Sequence, residues 1–145
     1  MYHSVFCELF STMSKYLAAY GVTAVVMIAI DLVWLGLIAK PLYQSGIGHL
    51  MADKPNVPIA LVFYLLYALG LMVFAITPEQ SAPGWSRALM VGALFGFFAY
   101  ATYDLSNLST LKEWPLGLSL MDMAWGTLVS GVSAAAGKLA LDRFS

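Results

Sequence analysis

The stretch ALMVGALFGFFAYATYDLSNLSTLKEWP, residues 88–115, decides how the rest of this chain is read. It begins as an apolar run long enough to enter a bilayer. It ends in Tyr103, Asp104, Ser106, Asn107, Ser109 and Thr110, just before Lys112, Glu113 and Pro115. A segment entering lipid should shed such groups, because each unpaired polar group there costs several kcal/mol. The same conflict occurs twice more. Asp31-Leu32-Val33-Trp34-Leu35-Gly36 lies near the end of the first apolar run, and Asp122-Met123-Ala124-Trp125-Gly126 lies near the start of the last. Three acidic residues inside apolar runs are the main functional signal. They locate a site without naming its ligand.

Composition fixes the class around that signal. Hydrophobic residues make up 61% of the chain and charged residues 10%, with a mean hydropathy of +0.80. A soluble domain carries roughly a quarter charged residues, so this chain cannot cover itself with a wetted surface. It reads as an all-α integral membrane protein whose first partner is the lipid bilayer. The formal net charge of -1 offers no basic footprint for nucleic acid. The single cysteine, Cys7, excludes an internal disulfide and any cysteine-based metal site. The apolar run over 17–39 is too long for a signal-peptide core, contains Asp31 and lacks a small-residue cleavage pattern, so it reads as a retained span. Residues 1–16 read as an N-terminal extension, with Met13 an alternative start to Met1.

Crossing about 30 Å of hydrocarbon takes about 20 apolar residues as helix. Four runs qualify, at about 17–39, 57–76, 88–108 and 116–136, within a single domain over 17–140 and before a short tail at 141–145. Lys40-Pro41, Pro55-Asn56, Thr77-Pro78, Pro83-Gly84 and Pro115 punctuate them. The expected fold is a four-transmembrane-helix antiparallel bundle, because two of the connections are tight. The third connection, 41–56, is longer. It reads as an interfacial loop or short helix, with Leu42, Tyr43, Ile47, Leu50 and Met51 among polar neighbours. Gly92 and Gly96 on the third run, and Gly126, Ser130, Ser133 and Gly137 on the fourth, have the spacing of close helix contacts. Trp85 and Trp114 read as interfacial anchors. Four spans place both termini on one side, where Lys15, Arg87, Lys138 and Arg143 face Lys40, Lys54 and Lys112 on the other. That excess puts both termini in the cytoplasm.

Alternating helix direction brings the three aspartates to one depth, toward the side of the 41–56 loop. Tyr64, Tyr67, Tyr100 and Tyr103 fall at that level, with Asn107 and Ser119 slightly nearer the surface. Tyr100, Asp104 and Asn107 share one stripe at i, i+4, i+7. Asp31 with Trp34 and Asp122 with Trp125 repeat a D-x-x-W element in helices of opposite direction, the pattern expected of an inverted two-plus-two repeat. His49 and Asp53 sit on the loop as candidate lid residues over this layer. No metal set or cofactor is assigned.

These residues resemble a known family. The run Tyr103 to Pro115, followed by Asp122-Met123-Ala124-Trp125-Gly126-Thr127, is similar to the bacterial predicted-membrane-protein family called domain of unknown function 2177. Asp31-Leu32-Val33-Trp34-Leu35-Gly36 and the segment Gly48 to Asn56 are similar to its earlier parts. The resemblance covers nearly everything from Met13 onward. It implies a four-helix protein of the bacterial inner membrane and brings no established activity.

Three classes of function fit. The carboxylates and tyrosines can bind or move a proton, a cation or a small polar ligand, since intramembrane acids commonly mark such paths. They can serve a membrane-embedded enzyme acting on a lipid-soluble substrate, by general acid and base chemistry. Or they can satisfy one another in a structural or accessory subunit, as a homo-oligomer or in a larger complex. Interhelical hydrogen bonds in lipid average about 0.6 kcal/mol. Inserting each aspartate costs roughly 2.5–3.5 kcal/mol, so mutual satisfaction alone offsets the cost poorly. The binding or transport reading leads.

Overall fold

A computed structural model of the chain describes the backbone of residues 2–144 and the side chains of Leu9 and of residues 11–144. The Cys7 side chain lies outside the described residues. Helix α1 runs over Tyr2–Val33 and passes into a π-helical turn, Trp34–Ala39, then into the short helix α2, Lys40–Ile47, and a 3-10 turn, Gly48–Leu50. Helix α3 covers Val57–Leu71 and ends in a second π turn, Met72–Ile76, with a 3-10 turn at Thr77–Glu79. Helix α4 is Ser86–Thr110 and α5 is Leu116–Arg143. Among the described residues there is no strand.

The prolines explain the two wide turns. Proline has no N–H to give the turn before it, and its ring crowds the carbonyl four residues back. Pro41 and Pro78 would therefore crowd Leu37 and Phe74, and both of those residues lie inside π turns that make the room. Lys40-Pro41 thus does not stop the first helix, as the sequence implied; the helix widens and continues to Ile47. Helix α3 is started in the ordinary way. The Asn56 side chain accepts from the Ile59 N–H at 3.3 Å, with Pro58 in the first turn.

Among the described residues, three helical segments are long and apolar enough to cross a membrane: Ser11–Leu50, Val57–Glu79 and Ser86–Thr110. Helix α5 has the length, at 28 residues, but not that apolarity. Its burial gives the reason. Ser119, Asp122, Ser130, Ser133 and Lys138 are all buried on α5, whereas the other helices and their π turns carry many exposed large apolar side chains such as Leu17, Leu37, Leu66, Phe74, Leu94 and Phe98. Helix α5 packs against both α1 and α4. Its polar residues lie on the face buried against them, while Leu116, Leu120, Leu128 and Leu139 stay exposed on the other.

Close approach of α4 and α5 rests on two glycines. A Cβ on Gly96 would strike the Gly126 carbonyl and the Ser130 side chain, and a Cβ on Gly126 would strike the Tyr100 ring. The small residues singled out in the sequence therefore do meet. Gly92 lies by Ser130 and Ala134, while Gly96 lies by Gly126 and Ser130, so numbering rises along α4 as it falls along α5. A core of Ala19, Met27, Leu71, Ala75, Ile76, Val129, Ala134 and Leu141 fills the end of the bundle away from the 41–56 segment. Lys138, read from sequence as a charge at the membrane surface, is fully buried beside it and pairs with Asp142 one turn later.

A carboxylate and tyrosine layer with an aromatic cavity

The three aspartates come from α1, α4 and α5, and all are buried: Asp31 is 6% exposed, Asp122 3% and Asp104 0%. Their partners differ in a way that separates their roles. Asp31 is saturated. Its Oδ1 accepts from Trp125 Nε1 at 2.8 Å and its Oδ2 from the Tyr64 hydroxyl at 2.7 Å. Asp122 accepts from one donor, the hydroxyl of Tyr43 on α2. Asp104 has no hydrogen-bond partner on either oxygen. The Ser119 hydroxyl lies close enough to act on Asp104 as a hydrogen-bonding neighbour, though without a well-formed bond, and accepts from Trp114 Nε1 at 2.9 Å.

The aromatic residues tie the layer together. Tyr67 shares a 2.9 Å hydrogen bond with Ser130 of α5, and its ring meets Phe95 and Tyr100 edge-on. Trp34 stacks on Trp125. Tyr103 is 55% exposed and meets Trp114 edge-on at 5.9 Å. Asn107 is half-buried near Tyr103 rather than on Asp104. His49 and Asp53 are exposed, and among the described contacts it is Tyr43 that reaches the carboxylates from the 41–56 segment. Trp114, read as an interfacial anchor, is buried at 8% exposure because its N–H is held by Ser119. Trp85 is exposed.

A cavity of about 490 Å³ opens beside this layer. Tyr67, Tyr100, Tyr103 and Asp122 line it, as the sequence grouping placed them, together with Tyr43, Phe63 and Ala99, which that grouping missed. Phe63 was legible, since it stands at i, i+4 to Tyr67. Tyr43 was not, because among Leu42, Ile47 and Leu50 a tyrosine reads as an ordinary interfacial residue. Asp31 and Asp104 lie outside the lining. The cavity exists because α3 and α4 part company. Helix α4 packs on the Met72–Ile76 turn, while α3 before that turn lies against α1.

Among the described residues no basic side chain pairs with an acid of the layer. Among the described residues the ion pairs are Arg87 with Glu79 and Lys138 with Asp142, and neither involves the three aspartates. No group of three or more His, Cys, Asp or Glu among the described residues is placed to hold a metal ion. What remains is a ring-walled space with one carboxylate in its wall and a phenol on that carboxylate. Such a space favours positive charge and can exchange a proton.

Fold and site together define a helical, multi-pass membrane protein with acids and phenols gathered inside its bundle. The chain belongs to the family described as Predicted membrane protein (DUF2177), whose model matches residues 16–139. No curated protein matches the chain, and no solved structure does.

Proposed function

We propose that this protein binds and moves a proton or other cation at the layer formed by Asp31, Asp104 and Asp122 with Tyr64, Tyr67, Tyr100 and Tyr103, and that Asp122 is the residue that meets it. The observation behind this reading is that Asp122 borders the cavity while, among the described residues, no basic side chain pairs with the three buried acids. An acid kept inside lipid without a cationic partner is costly, and such acids commonly serve ion or proton paths. Asp31, held by two donors, orients the Trp125 indole and the Tyr64 phenol rather than meeting the ligand. The setting is a bacterial inner membrane, as the family resemblance implies. Orientation with both termini in the cytoplasm loses its charge excess once buried Lys138 is set aside. Lys15, Arg87 and Arg143 then stand against Lys40, Lys54 and Lys112.

Reconstitution tests the reading. Proteoliposomes carrying an internal pH dye should show cation-dependent or potential-driven flux that Asp122→Asn abolishes while the variant stays folded. Flux equal in wild type and Asp122→Asn, or none above empty liposomes, overturns it. A second reading is favoured by the Tyr43 hydrogen bond to Asp122 at the cavity wall. A phenol on a carboxylate is a general acid–base pair, and a membrane enzyme for a lipid-soluble substrate would use it. Turnover of an extracted lipid by purified protein, lost in both Tyr43→Phe and Asp122→Asn, would select that reading.

A further inference from the structure

Resting on the carboxylate-site reading, we propose that the cavity between α3 and α4 takes an alkylammonium group carried on an apolar body. The charge lies at Asp122 and the carbon substituents lie against the rings of Tyr67, Tyr100 and Tyr103. The lining chooses this class over a bare ion. Five of the seven lining residues are aromatic, and Asp122 is the one charged group. Two of the phenols have spent their hydroxyls elsewhere, Tyr43 on Asp122 and Tyr67 with Ser130, so what they offer the cavity is ring. Aromatic rings attract a cation by their quadrupole and suit alkylated ammonium groups, which carry their charge under a greasy surface. A hard metal ion wants about six or more oxygen ligands instead, and no such set of acids converges here. Asp122 has room for the ligand, because the Tyr43 hydroxyl is the one donor on it and it borders the cavity; a quaternary ammonium needs its charge rather than a hydrogen bond.

Size and access agree with an amphipathic ligand. A volume of about 490 Å³ falls within the roughly 300–1,000 Å³ of small-molecule sites. Phe63 on α3 is 44% exposed and Tyr103 on α4 is 55% exposed, so the mouth lies on the flank of the bundle. A ligand arriving there comes through the bilayer and must carry apolar surface. Two sources supply that chemistry, a phospholipid amine or choline headgroup and a free hydrophobic amine.

The test uses the full chain in nanodiscs of phosphatidylglycerol, which has no amine, titrated calorimetrically with hexyltrimethylammonium. Saturable binding is expected. Asp122→Asn should weaken it by roughly tenfold or more, the loss of a close charge–charge attraction in a site of reduced dielectric. Tyr103→Leu should weaken it about two- to fivefold, the worth of an exposed cation–π contact; Tyr103 is exposed enough that this variant keeps its fold. Equal binding of the uncharged carbon isostere, or binding unchanged in both variants, overturns the inference. If Asp122→Asn abolishes ion flux in proteoliposomes but hexyltrimethylammonium does not bind, this inference fails and the carboxylate-site reading survives. Absence of both flux and binding overturns both. Competition by added phosphatidylcholine supports the headgroup as occupant, and binding without competition supports the free amine.

Discussion

Trp34, the first residue of the π turn after α1, lies flat on Trp125 of α5, with ring centroids 4.2 Å apart and planes 9° from parallel. Each tryptophan stands three residues after an aspartate, so the two D-x-x-W elements meet face to face. Their chemistry then diverges. Trp125 reaches across to Asp31, whereas the Trp34 indole N–H is buried without a partner and Asp122 takes the Tyr43 hydroxyl instead. A matched pair in sequence has become one closed carboxylate and one open to a cavity.

That divergence predicts unequal tryptophan variants. Trp125→Phe removes a donor from a buried carboxylate and should cost about 1.5–3 kcal/mol. Trp34→Phe keeps most of the stacked area and removes only an unsatisfied donor, so it should cost less than about 1 kcal/mol. Reversible unfolding in mixed micelles measures both. Equal losses would mean that the indole bond to Asp31 contributes nothing beyond stacking.

The carboxylates themselves should separate in the same way. Asp31→Leu strands the Tyr64 hydroxyl and the Trp125 N–H, at about 1–3 kcal/mol for each buried donor left unsatisfied. Asp104 makes no well-formed hydrogen bond, and its neighbour Ser119 keeps its bond to Trp114, so Asp104→Leu should be neutral or stabilising, as apolar replacement of buried polar groups often is. The same unfolding assay decides this. Destabilisation by Asp104→Leu as large as that by Asp31→Leu would show that Asp104 is held by a group that only the membrane-embedded protein supplies.

The helical class and the role of Gly92, Gly96 and Gly126 at helix contacts could be read from sequence because each follows from periodicity. Spacing on a helix is fixed by 3.6 residues per turn, and the cost of polar groups in lipid fixes which face they take. Three features could not be read this way. The π turns at Trp34–Ala39 and Met72–Ile76 arise from how a helix relieves the crowding of Pro41 and Pro78, and sequence shows only that a break is due. The sequence counted α5 as a fourth apolar span, and its buried polar residues make sense only with that face packed against α1 and α4. Which donor each aspartate takes is a tertiary choice. Tyr43 reaches Asp122 over a sequence separation of 79, and no local pattern records that.

Helix packing supplies a further expectation. Gly96→Val would drive two methyl groups into the Gly126 carbonyl and Ser130, and neither backbone can retreat without separating α4 from α5. Overpacking of this kind costs about 1–3 kcal/mol. The melting temperature in detergent should fall accordingly. Gly36→Val, at a position with open space around a Cβ, serves as the control and should fall far less.

Tyr43 carries the last prediction. Helix α2 has no buried residue, so little apolar area holds it against the bundle. Two contacts do: the Tyr43 hydroxyl on Asp122, and Gly46 against the Pro115 ring. Tyr43→Phe keeps the ring and removes the hydrogen bond to a carboxylate, a loss of about 1.5–3 kcal/mol. Because α2 is small, that loss should appear as local opening rather than as global unfolding. Hydrogen exchange of the amides at 42–47 should therefore quicken by roughly tenfold or more, while α4 and α5 keep their protection. Unchanged exchange across 42–47 would mean that packing at Gly46 alone seats the helix, and that the phenol on Asp122 has no part in closing the cavity.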